Sequence, residues 1–537
     1  MASALALGLY ARIEPWALAL GWVGLVPWLA ALDGVVSFRG ALGLGLLMSV
    51  AFVAAVFGWF AGAIAAYTGA PPALAWLLLL LAAPLVQPQL VTFALARHLA
   101  RTRGTASRGA AGAWQVALVG ACVYVGTEWA MPKLFRDTLG YGLHSSTWMR
   151  QAADLSGAHV LTLVLVLANE CALALARAAT AGSRARATLR RAVGPASCGA
   201  ALVLALMAYG AFRMRQLTLG RPGDAITAAI VQPDLSHYDR LAADHGTYGA
   251  VRRILDVHFS LSADALARGG LDLLVWPETM YPTTFGSPKS EDGAAFDREI
   301  AAFVAARRVP LVFGSYDVEA GQEFNAAVLL EPAGSGPLTF DTYRKTALFP
   351  LTEWVPPLLD SSMVRAWLPW LGAWRPGAGP QVLVLTVPDG RKLRLGPLIC
   401  YDALDPRLAA AAVRQGAELI VTLSNDSWFD VGAGPRLHLV GAAFRSIETR
   451  RPQLRATSTG ISAVITATGE LLATAAVHER AGLVATVRPE SRATTLALLW
   501  GNWVGPSALA LGAALLFVPA LVRRGSPPGW SDDRAAT

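Results

Sequence analysis

The sequence predicts a polytopic α-helical membrane bundle joined to an α/β extracytoplasmic domain, and three observations carry that prediction. Hydrophobic residues make up 54% of the 537-residue chain and charged residues only 15%, with a mean hydropathy of +0.44, far from the balance of a soluble globular protein. The apolar residues concentrate before about residue 213 and after about residue 493. Between them, residues 223–492 form a stretch of ordinary soluble composition in which β-rich runs alternate with helical patterns. The expected organisation is a multi-span bundle over 1–213, a catalytic-size domain over 223–492, a closing transmembrane helix over 493–522 and a disordered cytoplasmic tail over 523–537.

Roughly 20 apolar residues of helix cross a hydrocarbon core, and seven stretches meet that length: 15–32, 40–67, 71–96, 113–131, 158–175, 193–212 and 494–522. Residues 1–10 are apolar but short and lack the basic flank of a cleaved signal. The formal charge of +8 does not point to nucleic acid, because the arginines sit in short loops between apolar segments. Arg97, Arg101, Arg103 and Arg108 form one group, Arg177, Arg184, Arg186, Arg190 and Arg191 a second, and Arg523 and Arg524 a third. Basic loops stay on the cytoplasmic side, and counting crossings between the groups puts residues 223–492 on the outer face. The same count asks residues 1–10 to cross as well.

Within 223–492, strands are expected at 226–231, 271–276, 310–314, 326–330, 382–387, 393–399, 419–423, 462–466 and 483–487, and helices at 249–268, 294–307, 406–415 and 437–450. Such alternation implies helices layered on sheets. The chain has no internal repeat, no Cys/His spacing of a zinc site and no glycine-rich phosphate loop ending in lysine, so metal, nucleotide cofactor and nucleic-acid chemistry find no support.

Chemistry points to Cys400. The other cysteines, Cys122, Cys171 and Cys198, lie inside hydrophobic segments, whereas Cys400 ends the apolar run 395–399 and is followed by Tyr401 and Asp402. A thiol at a strand end is a candidate nucleophile, and a nucleophile needs a base and an oxyanion donor. Glu278 follows a strand that closes in Trp276 and Pro277, Lys345 follows another apolar run, and Glu353 stands eight residues further on. Each residue alone reads as a packing thiol or a solvated charge. The constellation is what singles them out.

Trp276-Pro-Glu278, Tyr343-Arg-Lys345 and Cys400-Tyr-Asp402 resemble the Glu–Lys–Cys triad of the nitrilase superfamily. Ser424-Asn-Asp-Ser-Trp-Phe429, Gly434-Pro435 with His438, Phe444-Arg-Ser-Ile-Glu448, Arg451-Pro452 with Leu454-Arg-Ala-Thr457, and Thr459-Gly-Ile-Ser-Ala463 resemble the apolipoprotein N-acyltransferases, as do Thr127-Glu-Trp129 and Gly501-Asn-Trp503. The resemblance covers nearly the whole chain. It implies a nitrilase-like αββα sandwich on the outer face of the bacterial cytoplasmic (inner) membrane. It also implies a ping-pong transfer in which Cys400 takes an acyl chain from a phospholipid as a thioester, and the α-amine of a diacylglyceryl apolipoprotein accepts it. By the same resemblance Glu278 is base and acid, Lys345 holds the oxyanion, Glu353 supports them, and Tyr401 and Asp402 shape the nucleophile turn. Trp276, Asn425 and Asp426 support the site, with no cofactor and no metal.

The pattern departs from that family at Thr352, where a glycine is usual, at Ala347 and Leu437, at Asp402 in place of a glutamate, and at Tyr238 in place of a tryptophan in a longer loop. Between Glu353 and the nucleophile strand, Trp354, Trp367, Trp370 and Trp374 accompany four leucines. Tryptophan favours the membrane interface, so Tyr238, Trp354, Trp367 and Trp370 are expected to line substrate access. A membrane-tethered carbon–nitrogen hydrolase acting on a small amide, or an inactive relative that kept the fold, remain the alternatives.

Overall fold

The computed structural model describes residues 1–103, 110–180, 185–219, 223–235, 238–332, 339–357, 359–428, 432–489 and 493–524. Arg108, Arg184, Phe429 and the expected tail from residue 525 on lie outside the described residues.

The N-terminal region is helical. Among the described residues, four of its helical segments are long and apolar enough to cross a membrane: Pro15–Asp33, Phe38–Phe57, His159–Thr180 and Ala192–Thr218. The pair Pro72–Val86 and Pro88–Thr102, bent by 50°, makes a fifth if it is one span. The bend falls at Gln87, between Pro84 and Pro88, where ring closure removes backbone donors from the helical ladder.

Five of the seven expected spans therefore recur among the described residues, the bent pair counted as one. The helix Ala110–Ala130 has the length but carries Gln115 and Glu128 and is not among the four. Helix Ala2–Tyr10 has nine residues, about 13 Å at 1.5 Å per residue, too short to cross alone. The expected span at 40–67 breaks after Phe57, and the separate helix Phe60–Thr68 turns toward the α/β domain. There the Tyr67 hydroxyl donates to the Thr352 carbonyl (3.2 Å) and the Tyr67 ring stacks on Trp428 at 4.8 Å.

Among the described residues the α/β domain holds twelve strands: β1 (Ile226–Gln232), β2 (Leu273–Val275), β3 (Leu311–Glu319), β4 (Gln322–Leu330), β5 (Phe340–Arg344), β6 (Leu383–Thr386), β7 (Lys392–Ile399), β8 (Leu419–Ser424), β9 (Gln453–Thr457), β10 (Ala463–Ile465), β11 (Leu471–Thr474) and β12 (Ala481–Val487). They form two six-stranded sheets, in the orders β12-β1-β2-β3-β4-β5 and β11-β10-β9-β8-β7-β6.

The sheets pack face to face. Ala228, Ile230, Leu273 and Val275 meet Leu395, Ile399, Leu419 and Val421 in one core. The alternate residues Ala229, Val231, Leu274 and Trp276 face outward onto the helices Tyr238–Leu266 and Glu291–Arg307. On the second sheet Leu398 and Ile420 meet helices Pro406–Arg414 and Gly434–Thr449. Four layers result, helix on sheet on sheet on helix, and strands covered on both faces read as continuous apolar runs. Three strands were not expected: β5, β9 and β11. β9 reads Gln-Leu-Arg-Ala-Thr, yet all five residues are buried. Its polar side chains find partners inside, Gln453 on Thr422 (2.6 Å) and Arg455 on Asp426 (2.8 Å).

The caps follow the local sequence. Ser290 accepts from Gly293 N (3.1 Å) at the head of Glu291–Arg307, and Asp405 accepts from Arg407 N (3.0 Å) ahead of Pro406. The domain is fastened to the helical region by Arg450, bonded to Asp154 (2.7 Å) and Gln151 (2.6 Å), and by the Tyr401 hydroxyl donating to the Leu134 carbonyl (2.7 Å).

Candidate active site

Strands β2, β3, β7, β8 and β9 run parallel to neighbours in their own sheets, and parallel strands present their carboxyl ends as a ligand-binding rim. β2 leads into Glu278, β7 into Cys400 and β8 into Asn425, while β5 leads into Lys345. The turn carrying Glu278 lies so close to β3 that a Cβ on Gly314 would fall 2.4 Å from Thr279 N and 2.6 Å from the Glu278 Cα. Only glycine fits there. Cys400 has φ of 49°, a left-handed conformation that costs a non-glycine residue roughly 1–3 kcal/mol. Asp402 holds that turn: its carboxylate accepts from Ile399 N (3.0 Å), Ala347 N (2.6 Å) and the Tyr343 hydroxyl (2.9 Å). One side chain thus ties the nucleophile turn to the loop after Lys345, and burial pushes its pKa up to about 6.

The Lys345 ammonium, 1% exposed, is 3.1 Å from Glu278 Oε1 and 2.6 Å from Glu353 Oε1. Glu278 also accepts from Asn325 Nδ2 and from Asn425 N, both at 2.7 Å, and Glu353 from Phe349 N at 2.7 Å. Burial by itself would lower the Lys345 pKa, but the two carboxylates outweigh it and hold the amine charged, above its ordinary range. Burial raises the Cys400 thiol and the Glu278 carboxylate raises it further, with Lys345 opposing. The site therefore holds a protonated thiol beside a buried carboxylate and a permanent cation.

Glu278, Lys345, Glu353 and Cys400 all line one cavity of about 710 Å³. Its far wall comes from the helical region: Phe57, Trp59, Phe60 and Tyr67, with Phe135. Tyr401 and Asn425 line it too, as do Tyr238 and Trp370 of the expected access residues, and Trp374. Trp354 does not; it is 40% exposed and borders a second cavity. Trp367 lines neither and is 77% exposed.

Trp276 is also misplaced by the sequence reading. The two-residue period of a strand turns it away from the rim into the helix layer, where its Nε1 donates to Ser262 Oγ (2.9 Å) among Phe259, Phe303 and Phe313. Asp426 is fully buried below the rim, bonded to Arg455 (2.8 Å), Ser424 (2.6 Å) and His438 (3.0 Å). His438 in turn reaches the Cys400 carbonyl through Nε2 (3.3 Å). Sequence reasoning missed Asn325, whose only signal is an amide beside the apolar run 326–330 of β4, and Arg455, a charge in the middle of a buried strand.

Residues 227–495 match the carbon-nitrogen hydrolase family model. The chain belongs to the carbon-nitrogen hydrolase family. Residues 4–171 match a second model, the apolipoprotein N-acyltransferase N-terminal domain. An apolipoprotein N-acyltransferase of Bdellovibrio bacteriovorus is 27% identical over 92% of this chain and 88% of its own. One of Geobacter metallireducens is 27% identical over 87% and 85%. Among solved structures, Saccharomyces cerevisiae Nit3, a nitrilase superfamily member, is 18% identical with a TM-score of 0.37, over 50% of this chain and 92% of that one. This carbon-nitrogen hydrolase thus carries an extra helical region, of the kind its acyltransferase relatives share, and that region supplies one wall of its cavity.

Proposed function

We propose that this protein N-acylates the diacylglyceryl cysteine of apolipoproteins, taking the acyl chain from a phospholipid by a ping-pong mechanism at the outer face of the bacterial inner membrane. One observation carries the reading: Glu278, Lys345 and Cys400 share a cavity with a wall of aromatic side chains from apolar helices. A hydrolase of small soluble amides has no use for such a wall, whereas an acyl chain leaving a bilayer does. The match of residues 4–171 to the acyltransferase N-terminal domain supports it.

In the first half-reaction Glu278 removes the thiol proton as Cys400 Sγ bonds to the ester carbonyl carbon. Lys345 Nζ faces the oxygen on which negative charge develops, and a donor aimed at developing charge is worth about 3–4 kcal/mol. The tetrahedral species collapses with cleavage of the C–O bond, Glu278 returns its proton to the leaving glyceryl oxygen, and a lysophospholipid departs. In the second half-reaction the acceptor amine attacks the thioester, Glu278 takes the amine proton, and the C–S bond breaks to give amide and thiol. Glu353 keeps Lys345 in place, and Asn325 and the Asn425 amide fix the orientation of Glu278.

The test is the intact mass of protein purified from membranes, before and after neutral hydroxylamine, with Cys400→Ser as control. A hydroxylamine-labile fatty-acyl increment, absent from the variant, is the expected result. No adduct even after incubation with phospholipid would overturn the acyl-transfer reading in favour of a tethered amidase or an inactive relative.

A further inference from the structure

Across Tyr401 from the thiol lies a second cavity, of about 960 Å³, with Asp137, Tyr141, Tyr401 and Leu404 as the shared wall. Its remaining sides differ in kind. Leu85, Trp129 and Met131 come from the helical region and are 77%, 43% and 48% exposed. Facing them are Arg136, Arg407 and Arg414.

The charges there do not cancel. Asp405 is shared by Arg136 (2.5 Å) and Arg407 (2.7 Å). Arg414 donates Nε to the Leu498 carbonyl (2.7 Å) and pairs with no carboxylate among the described residues. Three guanidiniums thus face one carboxylate. Elsewhere on the wall Lys133 meets two carboxylates, Glu128 (3.1 Å) and Asp137 (3.1 Å), and Arg445 meets Glu448 (2.8 Å), so the lining as a whole carries one more cation than carboxylates and the positive excess is local to Arg136, Arg407 and Arg414. The buried Arg445 still has an Nε without a hydrogen-bond partner. Guanidinium groups recognise phosphate oxygens through their planar fork of donors. An apolar strip beside such a cluster suits hydrocarbon.

The geometry points to a binding site for a phosphate-bearing lipid, with its headgroup on Arg136, Arg407 and Arg414 and its chain along Leu85, Trp129 and Met131. The site is separate from the thiol cavity and requires no covalent step, so it stands or falls independently of the acyl-transfer reading.

The experiment uses the full chain in neutral detergent, carrying Cys400→Ala so that no turnover occurs, and a photoactivatable phosphatidic acid with its diazirine in the acyl chain. Expected are crosslinks on peptides around 129–131 and 404–414. Apparent affinity should weaken at least tenfold in Arg407→Gln, a side chain 83% exposed, and in the double variant Arg136→Gln, Arg414→Gln. A diacylglycerol with the same chains and no phosphate should label at least tenfold more weakly. Equal labelling by diacylglycerol, unchanged affinity in both variants, or crosslinks confined to residues 57–67 would overturn the proposal. Displacement of the lipid by an equal concentration of inorganic phosphate would also overturn it, reducing the site to one for a free anion.

Discussion

Two buried charge clusters lie on either side of the Cys400 turn, and they differ in what they leave unbalanced. Above the turn, Lys345 faces two carboxylates, Glu278 and Glu353, at the wall of a cavity. Below it, Asp426 is enclosed by Arg455, His438 and Ser424, with no access to the cavity. Burial would raise the Asp426 carboxyl, but Arg455 and His438 outweigh it and hold it well below the usual carboxylate range. The lower cluster is closed by its own ion pair. The upper one keeps an excess of negative charge, and a cation, beside a thiol. Depth of burial is alike in both; access and charge balance separate a reactive cluster from a structural one.

That contrast predicts the variants that would break it. Lys345→Met should lower thioester formation by about 10²–10³-fold, the cost of an oxyanion donor, measured by intact mass after a timed pulse of phospholipid. Thermal unfolding should follow the opposite ranking. Asp426→Asn leaves the Arg455 guanidinium buried without its carboxylate, a loss of about 3–5 kcal/mol, read as a fall in denaturation midpoint, while the protein that remains folded still acylates Cys400. A normal denaturation midpoint in Asp426→Asn would erase the distinction. Because the Asp426 carboxyl is held low, its stabilising contribution is complete at neutral pH. It is lost only as pH falls below about 4, the ordinary carboxylate range, toward the depressed folded value.

A finer test concerns the thiol itself. With its pKa raised by burial and by Glu278, Cys400 should be alkylated slowly at pH 7, with the rate rising about tenfold per pH unit toward pH 9. Glu278→Gln removes the repelling charge and should speed alkylation at pH 7 even as it abolishes acyl transfer. Slower alkylation in that variant would mean that Glu278 does not oppose the thiolate. The smallest effect is expected at the cavity wall: Trp370→Ala should change the apparent KM for long-chain donors by a few-fold and leave short-chain esters unaffected.

Much of the α/β domain was legible because a sandwich buried on both faces writes its strands as apolar runs, as at 226–231 and 419–423. β9 was not legible, because Arg455 and Gln453 look solvated until their partners on β8 and beyond are known. Trp276 was misread for a related reason. Adjacency to Glu278 in sequence says nothing about which face of a strand a side chain takes. A hydropathy window likewise cannot register the break after Phe57 or the 50° bend at Gln87.

By itself the sequence determined the local matters: where apolar segments lie, which strands end in Glu278 and Cys400, and which motifs surround Glu278, Lys345 and Cys400. Local patterns record burial and turn chemistry, which act within a few residues. Only the tertiary structure decided that Asp402 ties the nucleophile turn to the Lys345 loop and that the helix Phe60–Thr68 closes the cavity. It also decided that a second cavity gathers Arg136 and Arg407 on Asp405 with Arg414 beside them. Those contacts join residues far apart in the chain, and charge balance at such a point depends on every element that arrives there.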